Sequence, residues 1–222
     1  LKDATTEGSL TAVGYRAAAN NTTGSGTVAL GFDALTTKTT GDRNTALGMY
    51  ALSNNLTGSD NTATGYKALT ANTTGDRNLA IGYRAYDDAD TENDNLAIGY
   101  DALGGAIDGG EYNIAIGNYS LDAATSGDNN TATGYDALTG NTTGADNTAL
   151  GYDAGDVITT GSQNVIIGSG SDPSANSASN QIVIGYGATG HGDNIAVIGN
   201  GSATAIHPHD DNEVDLGSSS YE

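Results

Sequence analysis

The sequence predicts an all-β protein, a parallel β-roll or β-prism solenoid with coils of about 17 residues. Three observations lead to this prediction. A glycine recurs at a nearly constant interval, the residues before it alternate in size, and Gly, Asn, Asp and Thr fill the segments in between. Because one unit combines strand-like alternation with turn residues, it predicts one coil of a stack.

The recurring glycine sets the length of the unit. Successive copies are 17 residues apart, except for one interval of 18. They are Gly14, Gly31, Gly48, Gly65, Gly82, Gly99, Gly117, Gly134, Gly151, Gly168 and Gly185. A disordered chain needs no such register, whereas stacked backbone coils do.

The five residues that end at this glycine predict a β-strand. They read Asn-x-Ala-x-Gly, as in residues 61–65 (NTATG). The two x positions hold mostly Thr, Leu, Ile or Val, and the residue between them is almost always Ala. This period of two gives one aliphatic face and one nearly bare face, against which another layer can pack closely.

The rest of the unit predicts a short strand-like piece and a turn. Tyr-x-Ala-Leu follows the glycine, and segments such as residues 72–76 (NTTGD) connect one unit to the next. Gly adopts positive φ easily, and Asn and Asp close turns by bonding to their own backbone. So thin a coil buries little apolar surface, so we expect several chains to associate along the stack.

Composition alone would indicate disorder. Leu, Ile, Val and Phe make up about 16% of the chain, and the net charge is -20. The regular repeat predicts a folded chain in spite of this composition. The small number of large apolar residues still excludes a large, enzyme-like core. The acidic charge argues against nucleic acid as a partner, and no apolar run is long enough for membrane insertion.

The repeat resembles those of two families of trimeric fibrous proteins. The best copies are residues 61–69 (NTATGYKAL), 95–103 (NLAIGYDAL) and 130–138 (NTATGYDAL). They resemble the left-handed β-roll repeats in the heads of trimeric autotransporter adhesins, and equally the repeat shafts of tailed-virus tail fibres. The resemblance covers residues 10–199 and implies a homotrimer.

The C-terminal segment favours the viral family. Residues 211–221 (DNEVDLGSSSY) look like the segment that precedes a self-cleaving trimerisation chaperone in viral tail fibres and tail spikes. The resemblance implies a structural and adhesive fibre segment on the virion surface, outside the cell, that attaches the virus to its host. Its partners would be its own copies, a host cell-surface glycan or surface-layer protein, and other fibre or virion proteins. The alternatives are the head of a trimeric cell-surface adhesin and a glycan-degrading tail spike.

The repeat also divides the chain. We expect a regular shaft over residues 1–155, a tapering end with irregular repeats over 156–206, and a connector toward the missing chaperone over 207–222. The taper is indicated by the loss of the Tyr-x-Ala-Leu half after residue 169 and by a final glycine interval of 14 residues, from Gly185 to Gly199.

Aromatic residues recur at one position of the unit, directly after the glycine. They are Tyr15, Tyr66, Tyr83, Tyr100, Tyr135, Tyr152 and Tyr186, with Phe32 substituting once. In a stack they lie one above another at about 4.8 Å. This column is either a structural ladder that seals the corner of the coil or a strip on which sugars stack, and the ladder is the favoured interpretation.

Two loops depart from the pattern and are candidate receptor contacts. The first, residues 86–94, is strongly acidic and contains Asp87, Asp88, Asp90, Glu92 and Asp94. Asp88, Asp90 and Glu92 could supply oxygen ligands to Ca²⁺, although no EF-hand pattern is present and a solvated acidic loop is the favoured alternative. The second loop, residues 104–112, is one residue longer than the others and offers Ile107, Asp108, Glu111 and Tyr112.

Two histidines suggest a possible metal site near the end of the roll. His207 and His209 would lie on one side of an extended strand, and three chains around one axis would present six nitrogens to a transition-metal ion. The simpler alternative is that they pair with Asp210 and Asp211. No cofactor is required by any feature of the sequence.

No set of catalytic residues stands out, so we expect no enzymatic activity. The acidic, Lys-poor surface instead suggests a protein adapted to concentrated salt, where screening removes self-repulsion. The sequence therefore predicts a halophilic setting.

Overall fold

The computed structural model describes residues 8–37, 40–88 and 90–203. These residues form an all-β solenoid with one parallel sheet, in which each strand pairs with the next along the chain. The strands are β1 Leu10–Val13, β2 Thr27–Leu30, β3 Thr45–Leu47, β4 Thr62–Thr64, β5 Leu79–Ile81, β6 Leu96–Ile98, β7 Ile114–Ile116, β8 Thr131–Thr133, β9 Thr148–Leu150, β10 Val165–Ile167, β11 Ile182–Ile184 and β12 Ala196–Ile198. The predicted fold class and repeat length are confirmed.

The register of the sheet follows the glycine intervals. Thr131 pairs with Thr148, a step of 17, while Leu96 pairs with Ile114 across the longer loop. The last step is short, because Ile182 pairs with Ala196. At about 4.8 Å per strand, the sheet is about 53 Å long.

Each strand turns its bare face inward. The alanine at the strand centre is fully buried in most coils, as at Ala63, Ala97 and Ala132, whereas the residues on both sides of it lie at the surface. Ile166 and Val183 take the central position in β10 and β11. The aliphatic face therefore points away from the core of the coil.

The Tyr-x-Ala-Leu segment forms the opposite wall, and it is not a strand. Its Ala and Leu are consecutive and both fully buried, as at Ala51 and Leu52, whereas a strand would place only one of the two inside. Positive φ at x and at Leu, such as 61° at Tyr50 and 51° at Leu52, turns both side chains inward. The expected second strand-like piece is thus a turn, and its backbone still bonds to both neighbouring coils, with Tyr50 donating to Phe32 and Leu52 to Ala68, both at 3.0 Å.

A ladder of buried asparagines fastens the start of strands β3 to β10. Asn61 donates from Nδ2 to the carbonyl of Gly75 at 2.7 Å, and its Oδ1 accepts from the backbone N–H of Asn78 at 2.9 Å. The same pattern recurs at Asn44, Asn78, Asn95, Asn113, Asn130, Asn147 and Asn164. Each asparagine therefore ties its strand to the next strand and to a turn.

Candidate binding surfaces

The outer face of the sheet is an exposed apolar band. Its most regular column takes the last residue of each strand: Val13, Leu30, Leu47, Thr64, Ile81, Ile98, Ile116, Thr133, Leu150, Ile167, Ile184 and Ile198. Leu150 is 49% exposed and Ile198 is 54% exposed. A large apolar surface of this kind is typical of interaction sites.

The aromatic residues form a continuous column beside this face. Neighbouring ring centroids are 5.0 to 6.2 Å apart from Tyr15 to Tyr152, either stacked or edge to face. In the regular stretch from Tyr66 to Tyr100 the rings are nearly parallel. In the stacked pairs each ring covers a face of its neighbour, which favours a structural ladder over a strip that is open to sugars.

Sequence reasoning missed two members of the column. Met49 and Asn118 occupy the aromatic position in their coils, and the next residue, Tyr50 or Tyr119, supplies the ring instead. The sequence did carry a signal for them. In both coils the aromatic position holds no ring, and a tyrosine follows one residue later.

The unbroken run of ring contacts stops at Tyr152. The next coil has Ser169 in the aromatic position, and the coil after that has Tyr186, which is 78% exposed. Among the ring pairs in the described ranges, none joins Tyr186 to another aromatic side chain. Asp153 lies beside Tyr152, and its charge and hydrogen bond raise the pKa of the tyrosine hydroxyl.

The acidic residues of loop 86–94 are directed to separate partners. Glu92 is only 3% exposed and accepts hydrogen bonds from the backbone N–H groups of Asp90, Thr91 and Gly109, each at 3.1 Å. Glu92 therefore lies in the interior of the coil, and it is not available for the receptor contact that the sequence predicts.

Arginines engage two further carboxylates of this loop. Asp87 is buried and accepts from Arg84 at 2.7 Å, and burial is the main cause of its raised pKa. Asp94 is held by Arg77 through two hydrogen bonds of 2.6 and 2.7 Å, and these bonds are the main reason why its pKa is lowered.

The remaining two carboxylates of the loop are exposed. Asp90 accepts from the Thr73 hydroxyl, and Asp88 lies at the surface. No three Asp, Glu or His side chains converge as an ion site within ranges 8–37, 40–88 and 90–203. The calcium ligands Asp88, Asp90 and Glu92 stay a prediction that this geometry does not support.

Loop 104–112 is only partly available for contact. Ile107 is 5% exposed and packs in the core, so it too is removed from the expected contact surface. Glu111 accepts from the Asn93 side chain at 2.7 Å. Asp108 and Tyr112 are exposed and remain candidate contacts.

The histidine and connector predictions lie outside the described residues. His207, His209 and the connector 207–222 fall in the segment of which no structure is described. His191 lies inside the described part and lines a pocket of about 350 Å³ at the last coil, together with Gly187, Thr189, Val197, Ile198 and Asn200.

Charge is distributed unevenly along the solenoid. All seven Lys and Arg residues lie at or before residue 84, while 21 of the 27 Asp and Glu residues follow it. Each of the four arginines, Arg16, Arg43, Arg77 and Arg84, forms an ion pair with an aspartate of the next coil. The first part is therefore nearly neutral, and the later part of the chain carries the acidic surplus.

Carboxylates in the later coils accordingly affect one another. Burial, followed by the charge of Asp156, raises the pKa of Asp172 to about 6. Burial also raises the pKa of Asp136, with Asp153 and Asp156 adding to the effect. In this region repulsion between carboxylates is not offset by a neighbouring cation.

No helix among the described residues is long and apolar enough to cross a membrane. No family model, curated protein or solved structure matches the chain. By its fold, the chain is a parallel β-solenoid repeat protein.

Proposed function

We propose that this chain is the rod of a homotrimeric attachment fibre on the surface of a virion. The observation that carries the proposal is the apolar outer face, which extends along the whole described solenoid. The net charge of -20 keeps the charged surface of the chain well hydrated, but it does not help the apolar face. We therefore expect a binding partner of matching length to bury this face.

Further copies of the chain supply such a partner. Strands of parallel copies around one axis present equivalent faces at the same height, so aliphatic side chains meet aliphatic side chains. Burying the exposed half of a Leu, Ile or Val stabilises the assembly by about 1 kcal/mol per side chain. Ten of the twelve strands end in Leu, Ile or Val, so the summed term opposes the repulsion between three acidic chains, which salt weakens.

The proposed role is mechanical and adhesive, not enzymatic. A rod of this kind holds a recognition surface away from the particle, outside the cell, while other fibre or virion proteins anchor it. Three copies bind a repetitive host glycan or surface-layer protein with avidity that a single weak site lacks.

The assembly is tested by measuring mass in solution. We expect light scattering in molar NaCl to give a trimer for the full chain, and a folded monomer for the double variant Ile81→Glu and Leu150→Glu. The control Ser126→Glu adds a charge at an exposed turn outside the sheet face and should remain trimeric. A monomeric wild-type chain at every salt concentration would overturn the trimer.

Attachment is tested on cells. The fluorescently labelled chain is applied to a panel of bacterial and archaeal cells, untreated, periodate-treated or protease-treated. Binding lost after periodate indicates a glycan, and binding lost after protease indicates a surface-layer protein. Absence of binding across the untreated panel would contradict the attachment role.

A further inference from the structure

The aromatic column contains one break that the chain does not repair. In the coils of Met49 and Asn118, a tyrosine one residue later restores the ring contacts. In the coil of Ser169 the next residue is Gly170, which carries no side chain. Each lost aromatic pair costs about 0.5–1.5 kcal/mol, so the unrepaired break reduces stability at this point.

The backbone passes through the break without interruption. Gly170 donates to the Tyr152 carbonyl at 2.8 Å, and Gly187 donates to the Ser169 carbonyl at 2.9 Å. Tyr152 and Tyr186 therefore occupy equivalent positions two coils apart, a separation of about 9.6 Å along the stack. That distance is two steps of the column, so the place of one ring is empty.

The space beside this break is open. One face of the Tyr152 ring lies against Tyr135 at 5.5 Å and an angle of 10°, so the opposite face is directed toward the coil of Ser169. Tyr152 is 56% exposed. A methyl group built on Gly170 or on Gly187 would meet no atom within 4 Å. The break is thus a surface opening flanked by tyrosines.

We propose that this opening binds one pyranose ring of a glycan, which takes the place of the missing aromatic ring between Tyr152 and Tyr186. The inference rests on the proposed attachment function and names its ligand class and site. The apolar C–H face of a sugar packs on an aromatic ring. The slot has room for one such ring, whereas along the rest of the column neighbouring rings already occupy that space.

Polar groups for the sugar hydroxyls lie next to the slot. Gly187 borders both the slot and the 350 Å³ pocket, whose Thr189 and His191 offer hydrogen-bond donors and acceptors. A pocket of this volume is within the range of small-molecule sites. The pocket therefore extends the slot toward a neighbouring sugar unit.

Charge restricts the glycan class. Asp153 follows Tyr152 directly, and no Lys or Arg occurs after residue 84. An anionic sugar would meet uncompensated negative charge, whereas a neutral or amino sugar would not. We therefore assign the slot to neutral or amino-bearing pyranosides.

The experiment compares binding to immobilised oligosaccharides of glucose, mannose, N-acetylglucosamine, glucosamine and galacturonic acid. The probe is the full chain in molar NaCl. We expect binding to at least one neutral or amino-bearing member and none to oligogalacturonate. Tyr186→Ala should weaken binding by about tenfold or more, which corresponds to one lost stacking contact.

Ser169→Tyr is the decisive variant, because it fills the slot and completes the column. We expect it to raise the melting temperature and to abolish glycan binding, so that loss of binding cannot be attributed to misfolding. The control Tyr15→Ala removes an exposed ring at the other end of the column and should bind like the wild type.

The outcomes separate this inference from the proposed function. Unchanged glycan binding by Ser169→Tyr overturns the slot. If the wild type binds no oligosaccharide but still adsorbs to cells, the slot is wrong and the attachment role stands. If neither binding is found, both proposals fail.

Discussion

At the scale of single residues, the asparagine ladder provides the most specific stabilisation. Asn130 donates to the Gly144 carbonyl at 2.9 Å, and its Oδ1 accepts from the backbone N–H of Asn147 at 3.0 Å. All of these groups are buried in a coil with few large side chains. An unpaired polar group in such a place costs about 1–3 kcal/mol.

We therefore predict that Asn130→Ala lowers the free energy of unfolding by about 1–3 kcal/mol, because it leaves the buried N–H of Asn147 without a partner, while the Gly144 carbonyl still accepts from Asn141. Chemical denaturation followed by circular dichroism measures the change. Asn54→Ala, at an exposed turn, is the matched control and should change stability by less than about 0.5 kcal/mol. Equal effects of the two substitutions would contradict the role of the ladder.

Asp172 is the residue whose ionisation most clearly opposes folding. Burial and the neighbouring Asp156 raise its pKa to about 6, whereas an unfolded aspartate titrates near about 3.9. Between these values the folded state binds more protons than the unfolded state. Its contribution therefore makes the fold more stable as the pH falls from about 7 to about 4.

The corresponding prediction concerns the pH profile of the melting temperature. The wild type should melt at a higher temperature at about pH 5 than at about pH 7.5, because protonated Asp172 no longer repels Asp156. Asp172→Asn should raise the melting temperature at about pH 7.5 and flatten the profile. Asp146→Asn, at an exposed site, should leave the profile unchanged, and an unchanged profile for Asp172→Asn would refute the assignment.

At the scale of the elements, the glycine at the end of each strand sets how closely coils approach. Gly134 has a φ of 143°, and a Cβ at this position would lie 2.0 Å from the carbonyl oxygen of Gly151 in the next coil. Both the backbone conformation and the spacing exclude a side chain. This explains why the repeat is marked by glycine and not merely by a small residue.

Gly134→Ala is accordingly expected to destabilise the solenoid by at least about 3 kcal/mol, because the two coils must separate or the strand must bend. The melting temperature from circular dichroism is the measurement. Gly201→Ala is the control, since a Cβ there meets no atom within 4 Å, and its effect should be below about 0.5 kcal/mol. Equal melting temperatures for Gly134→Ala and Gly201→Ala would show that the coils leave room for a side chain at Gly134.

At the scale of the whole molecule, charge and apolar surface are both arranged along the axis. The apolar outer face is continuous from β1 to β12, while the uncompensated carboxylates begin after Arg84. Self-repulsion therefore acts mainly on the later coils, and salt screens it over about 3 Å at molar concentration. This arrangement is the physical basis for the expected halophilic behaviour.

We predict that the melting temperature rises between low salt and molar NaCl, and that the gain is uneven. Hydrogen exchange at low salt should be faster in β6–β12 than in β1–β5, and molar NaCl should reduce that difference. Replacing Asp136 and Asp153 with Asn should reproduce part of the effect of salt. Equal melting temperatures in both conditions would contradict adaptation to salt.

The sequence by itself determined the period, the strand positions and the turns, because these depend on local patterns that repeat with the coil. A period of two marked the strands, around an alanine in β1 to β9, and Asn-Thr-Thr-Gly segments marked the turns. The longer loop before β7 and the short last step were likewise readable from the glycine intervals.

Only the tertiary structure decided which face of each strand is inside. In most coils the wall opposite the strand fills the interior with Ala and Leu side chains, so the bare alanine face fits inward and the aliphatic residues are left outside. For the same reason Tyr-x-Ala-Leu had to become a turn, and Glu92 and Ile107 lie in the interior although their loops read as surface. Tyr50 and Tyr119 join the aromatic column because ring contacts depend on space between coils, and not on sequence position alone.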